Sequence, residues 1–344
     1  MKKKLLDGVK LIVFLAIGIF FIWFFVKDLT EKEKEQIFES FSHAKYLWLF
    51  VGLIFALISH ILRSLRWEML LNTVGYKPKF KNTFLSLMIG YFANLALPRL
   101  GEITRCGILN KYEKIPFEKS FGTVVAERAL DLLSFVVLFF LNLLIQYDAI
   151  SGYVNEKIYQ PLSQKFEFVG KGYFFYGSIL LTIVFIVFLF VFHKKLLKYR
   201  IYQKIIKLFK GFWAGLISIG KVKRPALFVI YTISIWAMYF LMTYVCFFSL
   251  AETSETGAAA AFSVLIMGTI GIMLVQGGIG IYPVIVAETL SVPKYGVNNL
   301  TGFTLGWLIW IAQTAAIILS GIISLILLPV LNNKKSDTTG NHQK

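Results

Sequence analysis

The chemistry this chain offers is concentrated in a few charged residues set against sequence apolar enough for a bilayer. The stretch NLALPRLGEITRCGILN (94–110) places Pro98, Arg99, Gly101, Glu102 and Arg105 within eight positions. A guanidinium offers two parallel hydrogen bonds to a carboxylate or phosphate. Glu102 stands three positions from each arginine, on the same helical face, and can pair with either. Pro98 removes a backbone donor and ends one helix. The residues after Gly101 then begin another, whose free N–H groups and positive dipole end favour an anion. A charge at the centre of a span costs ~2.5–3.5 kcal/mol, so these side chains must be paired or face water. The plainer reading is an interfacial turn whose arginines snorkel to lipid headgroups.

Three further groups join this one. In GTVVAERALDLLSF (122–135), Glu127 and Asp131 are four apart on one helical face, with Arg128 three before Asp131. They could partner Arg99 and Arg105 and close a charge network around a cavity, or form a stabilising Arg–Asp pair at a span end. In RSLRWE, Arg63 and Arg66 precede Trp67 and read first as interface anchors at the inner end of a span, and second as additional residues of the binding site. In GGIGIYPVIVAE, the glycines Gly277, Gly278 and Gly280 permit a sharp turn, and Glu288 is the nearest acid, able to face the cavity from the outer side.

The elements that position these residues are membrane spans. Hydrophobic residues make up 57% of the 344 positions and charged residues 16%, against about a quarter charged in soluble domains. Apolar runs of the ~20 residues needed to cross hydrocarbon recur along the chain. The run at 9–26, after MKKK, reads as a retained first span and not a cleaved signal, because no small-residue cleavage site follows it. Cys106 and Cys246 are far apart, and His43, His60, His193 and His342 show no ligand spacing, so neither a disulfide framework nor a metal site is expected. The net charge of +17 is read as topology and attraction to anionic headgroups, not as nucleic-acid binding.

Loop charge then sets the path. The expected spans are 9–26, 46–62, 129–147, 173–192, 225–250 and 303–330. The segments 27–45 and 148–172 lie outside, and the basic segment 193–224 lies inside. The latter repeats Ile201, Ile205, Leu208, Phe212 and Leu216 at helical spacing and reads as an amphipathic helix in the headgroup plane. The run 83–110 has inside-type charge at both ends and breaks at Pro98–Gly101. The run 257–290 has outside-type flanks and breaks at Gly277–Gly280. The fold class is therefore an all-α polytopic membrane protein. It has about six full spans and two re-entrant broken hairpins, one from each face, as in an inverted repeat whose broken helices mark the binding site. A plain eight-span bundle is the alternative. A single membrane domain covers 1–330, and the polar tail 331–344 is expected to be disordered.

At this point the chain resembles the transmembrane, flippase-like domain of the lysylphosphatidylglycerol synthase family over roughly residues 5–330. The matching features are RSLRW (63–67), LPxxxGExxR as Pro98, Gly101, Glu102 and Arg105, and ERxxD as Glu127, Arg128 and Asp131. The Gly-rich element at 277–288 is similar to a family element usually written Pro-Gly-Gly-x-Gly-x-x-Glu. Here Val275-Gln276 replaces the proline and the acid falls later, at Glu288. The resemblance implies the translocating half of bifunctional aminoacyl-lipid synthase/flippases, without the aminoacyl-transferase half and hence without an enzymatic activity.

The function expected from residues and resemblance together is translocation of an anionic or aminoacylated phospholipid, or another lipid phosphate, between leaflets. Arg99, Arg105 and the broken helix end would meet the phosphate, while Glu102, Glu127 or Asp131 would meet a cationic headgroup. A small-solute or ion transporter of the same plan is the competing reading. A membrane-embedded polyprenyl-phosphate glycosyltransferase is disfavoured, because the outer segments hold no paired acids. No cofactor or metal and no catalytic residue is expected. The partners are membrane lipid headgroups, with a separate lipid-modifying enzyme and further copies of the chain as those a translocator would have. The setting is the bacterial cytoplasmic (inner) membrane, with both termini cytoplasmic.

Overall fold

The computed structural model describes residues 27, 29–97, 99–147, 220 and 222–333. The expected span 9–26, the segments 148–172 and 173–192, nearly all of 193–224, Pro98 and the tail after Asn333 lie outside the described residues. The chain divides into two units, one comprising 1–128 with 218–344 and the other 129–217. The rest of this section concerns the first unit and the helix that leaves it.

Among the described residues the regular structure is helical, with no strand. Nine α-helices follow one another: α1 Glu31–His43, α2 Tyr46–Thr73, α3 Phe80–Ala96, α4 Leu100–Glu113, α5 Phe117–Ile145, α6 Pro225–Cys246, α7 Gly257–Leu274, α8 Ile281–Leu290 and α9 Asn299–Asn333. Five of them, α2, α5, α6, α7 and α9, are long and apolar enough to cross a membrane. Four of these overlap expected spans, and the fifth is the first arm of the second hairpin.

Local sequence explains the boundaries. Thr30 caps α1: its hydroxyl accepts from the Glu33 N–H at 3.3 Å, and Glu33 Oε2 accepts from the Thr30 N–H at 2.7 Å. This reciprocal box satisfies two donors that a helix start leaves open. α2 does not stop near residue 62 as expected. It runs 28 residues to Thr73, about 42 Å, and carries Arg63 and Arg66 inside the helix. The reason is that RSLRWEMLLNT contains no proline or glycine and ends at the turn before Gly75. α5 likewise begins at Phe117, twelve residues ahead of the expected 129.

Both broken runs form hairpins. In the first, α3 ends at Ala96, Leu97 after it is extended, and Arg99 takes the left-handed conformation at φ 64° before α4 begins. The arms return to the same level: Asn82, at the start of α3, donates to Glu113, at the end of α4. The arms touch backbone to backbone, because a Cβ on Gly101 would run into the Gly90 carbonyl. In the second, Gly277, Gly278 and Gly280 all have positive φ, between 67° and 72°, which costs little only for glycine.

α9 shows how the hairpins are disposed. It has 35 residues, about 52 Å. Its C-terminal half runs antiparallel to α3: the Lys81 ammonium donates to the Leu331 carbonyl at 2.7 Å, and Gly321 lies against Phe92. Its N-terminal half packs on α8, with Gly302 on Ala287 and Gly306 on Pro283. The first hairpin thus opens at one end of α9 and the second at the other. Their tips meet between these levels, where Gly277 approaches the Leu95 side chain and Trp310 Nε1 donates to the Gly277 carbonyl at 2.7 Å. Two hairpins entering from opposed ends is the arrangement anticipated from loop charge.

Candidate anion site

The site is built from three elements of the first unit. α2 presents Arg63, Arg66 and Trp67 on neighbouring positions of one face, α4 presents Arg105, and the first part of α5 presents Glu127. All five are buried, with Trp67, Arg66 and Glu127 at 0% exposure and Arg105 at 2%. Glu127 Oε1 lies 3.1 Å from Arg63 Nη1 and 3.8 Å from Arg66 Nη2, and Glu127 Oε2 lies 2.9 Å from Arg105 Nη2. Three guanidiniums therefore converge on one carboxylate, and these four side chains carry a formal charge of +2.

Trp67 sets the position of Arg105. Its indole N–H donates to Thr123 Oγ1 at 2.9 Å, and its ring lies 4.4 Å from the Arg105 guanidinium carbon. A guanidinium over an indole face is attracted by the ring quadrupole and stays charged without water. Arg66 donates to Thr232 Oγ1 of α6 at 3.3 Å, and Arg63 lies 5.9 Å from the Tyr239 ring. The Nε and Nη1 groups of Arg105 are buried and have no hydrogen-bond acceptor. A buried charged donor without an acceptor costs more than an ordinary lost hydrogen bond. An anion offering two oxygens would satisfy it.

Arg105 also lines a narrow cleft between α3, α4 and α5, together with Tyr91, Asn94, Glu102 and Arg128. Here the expected pairing is corrected. Glu102 does not pair with Arg99 or Arg105 but with Arg128 of α5, at 3.1 Å. Helical spacing gives partners on the same helix, whereas the hairpin brings α5 alongside α4 and supplies closer ones. That pair is partly exposed, so solvent weakens it. Glu102 Oε2 is buried without a hydrogen-bond partner.

The other expected residues divide clearly. Arg105, Glu127, Glu102 and Arg128 come together as a network. Arg63 and Arg66 are corrected from interface anchors to buried members of it, because α2 continues past them. Arg99 is exposed and caps α4 in a left-handed conformation, outside the network. Gly101 packs the hairpin arms, and its N–H donates to Asn94 Oδ1 at 2.7 Å. That donor of the helix start is thus already used, and the anion-binding capacity lies with the arginines. Asp131 sits one turn beyond Glu127 on α5, in the second unit, half-buried.

Gly277, Gly278 and Gly280 form the turn at the tip of the second hairpin. Glu288 is corrected from a cavity-facing acid: it is exposed, and Asn299 donates to it at 3.4 Å near the start of α9. Sequence reasoning missed Tyr91, Asn94 and Thr123. Tyr91 and Asn94 share a face of α3, three residues apart, and that spacing was the available signal. Among the described residues no cluster of three or more His, Cys, Asp or Glu could hold a metal.

Comparisons with known proteins agree that this is a membrane protein. The chain is 34% identical over 109 residues to a UPF0104 membrane protein of Methanocaldococcus jannaschii, covering 31% of this chain and 32% of the relative. Two UPF0104 membrane proteins of Methanothermobacter thermautotrophicus match at 32% over 84 residues and 27% over 112 residues, covering 24% and 33% of the relatives. These matches span a third or less of the relatives' length. No solved structure matches the chain. The family model described as "Lysylphosphatidylglycerol synthase TM region" matches residues 11–321. With its apolar helices and opposed hairpins, this chain is a multi-pass membrane protein that belongs to the lysylphosphatidylglycerol synthase TM region family.

Proposed function

We propose that this protein is a transporter, not an enzyme, and that it moves a lipid bearing a phosphate group between leaflets. Anionic and aminoacylated phospholipids are the first substrate class. One observation carries the reading: Arg105 is buried, held on the Trp67 face and charge-paired to Glu127, yet keeps two N–H groups without an acceptor. A phosphate oxygen pair completes that donor set. Glu102, with one buried oxygen unpartnered, faces the same cleft and would receive a cationic group on the same headgroup. Two opposed hairpins whose tips meet give the site a route to either side, as in transporters built from inverted repeats. The lysine balance of the connecting segments supports a bacterial cytoplasmic membrane with both termini inside.

The test is leaflet exchange of headgroup-labelled phospholipids in proteoliposomes, comparing the unaltered protein with Arg105→Ala and Glu102→Gln. Accelerated exchange of an anionic or aminoacyl lipid, lost in both variants at normal folding yield, supports the reading. No acceleration across a broad panel of phospholipids and lipid-linked carriers overturns it in favour of a small-solute carrier.

A further inference from the structure

A cavity of about 210 Å³ lies among α2, α3, α6, α7, α8 and α9, all within the first unit. On α2 its wall runs from Leu53 to His60, about 10 Å along the helix, and Arg63 follows within the next turn. On α6 its wall includes Tyr239, whose ring is 5.9 Å from the Arg63 guanidinium carbon. The cavity therefore begins where the arginine cluster ends and extends away from it along α2.

Its polarity is graded. Along its length the lining hydroxyls are turned back onto their own helices. Thr243 donates to the Tyr239 carbonyl at 3.1 Å, Thr269 to the Leu265 carbonyl at 2.6 Å and Ser320 to the Ile317 carbonyl at 3.2 Å. What remains for an occupant is mainly hydrocarbon from leucine, methionine, alanine and isoleucine side chains, with Tyr239 and Tyr282 beside it and the Gln313 amide directed to Met242 Sδ at 3.6 Å. Unpartnered buried polar atoms occur at the arginine end. His60 Nδ1 and Tyr91 OH have no hydrogen-bond partner, and their rings are 4.9 Å apart. A space that is polar at a cationic end and apolar beyond it has the shape of an anionic amphiphile.

We infer that this cavity receives the first carbons of one hydrocarbon chain of the lipid whose phosphate the arginine cluster grips, an inference that rests on the proposed function. A void of about 150 Å³ takes up benzene, so the space suits one slender chain and not two. Any second chain stays in the surrounding lipid. The ligand class is thus a lipid phosphate recognised by head and chain together, which a free phosphate ester would not satisfy.

The experiment uses the full chain in detergent with two probes, short-chain phosphatidic acid and sn-glycerol 3-phosphate, and two variants. Ala316→Phe fills the cavity from α9, and Arg105→Ala removes the cation. Displacing two or more methylenes, each contributing about a fourfold effect, weakens phosphatidic acid binding at least tenfold. The expected result is that loss in Ala316→Phe with glycerol phosphate binding unchanged, and a loss for both probes in Arg105→Ala. Equal response of both probes to Ala316→Phe overturns the chain site while leaving the anion site standing. No binding of either probe to the unaltered protein overturns both.

A measurement on the unaltered protein decides the matter if Ala316→Phe does not fold. Phosphatidic acid with a diazirine on its chain should label Gln313, Ala316 or Ile317 inside the cavity. Labelling confined to the outward-facing Leu319 and Ile323 overturns the inference.

Discussion

Glu127→Gln removes the carboxylate on which Arg63, Arg66 and Arg105 converge, and leaves a neutral amide of the same shape. Removing one partner of a buried ion pair costs about 3–5 kcal/mol, because the remaining charge is buried without compensation. Here three guanidiniums share the anion at 2.9–3.8 Å, which places the expectation at the upper end. At about 2.1 cal/mol/K of unfolding entropy per residue, the 344-residue chain loses about 1.4 °C per kcal/mol. The expected fall is then about 7 °C in thermal unfolding of the detergent-solubilised protein. Phosphate should restore part of it, since a ligand that binds only the folded state stabilises by RT ln(1 + [L]/Kd). The double variant Glu127→Gln, Arg66→Gln should be less than additively destabilised, because the second change removes one of the uncompensated charges. A Tm within 1 °C of the unaltered protein, with no response to phosphate, would refute the idea that Glu127 holds the cluster together.

Arg99→Gly should keep lipid exchange and raise stability by up to ~1 kcal/mol. Its φ of 64° strains any side chain, and Arg99 lies outside the network; a collapse of exchange would return it to the site. Gly101→Ala should cost ~1–3 kcal/mol or prevent folding, since its Cβ would meet the Gly90 carbonyl, a loss visible in folded yield and melting temperature. Trp67→Phe should cost ~1–3 kcal/mol, because it deletes the donor to Thr123 and weakens the face under Arg105. The capping box holds the Glu33 carboxyl below the usual glutamate range, through hydrogen bonds from the Thr30 backbone and side chain. A depressed pKa gives stability above the ordinary glutamate value and loses it as pH falls through the folded value. Amide protection at the start of α1, measured against the unstructured exchange rate at each pH, should therefore fall in acid, and Glu33→Gln should abolish that dependence while Thr30→Ala, which keeps the backbone donor, only reduces it.

Much of the architecture was legible because it follows from one-dimensional rules. Apolar length and loop charge report the transfer of each segment into hydrocarbon, which is a local property. They placed α2, α5, α6 and α9 and both hairpins. Pro98 and the glycines at 277–280 announced the breaks because backbone conformation is set by the residue itself. Arg63 and Arg66 were misjudged for the opposite reason. A basic residue at a span end looks the same whether it snorkels to a headgroup or is buried against an acid 64 positions away, and only the neighbours differ.

The sequence by itself thus determined that this protein crosses a membrane with two interrupted hairpins and carries charge at their level. Tertiary structure alone decided the pairing: Glu127 with Arg63, Arg66 and Arg105, Glu102 with Arg128, Trp67 beneath Arg105, and Arg99 and Glu288 left at the surface. Coulomb energy and hydrogen bonding depend on distances of a few ångströms between helices remote in the chain, and no spacing within a single helix encodes them.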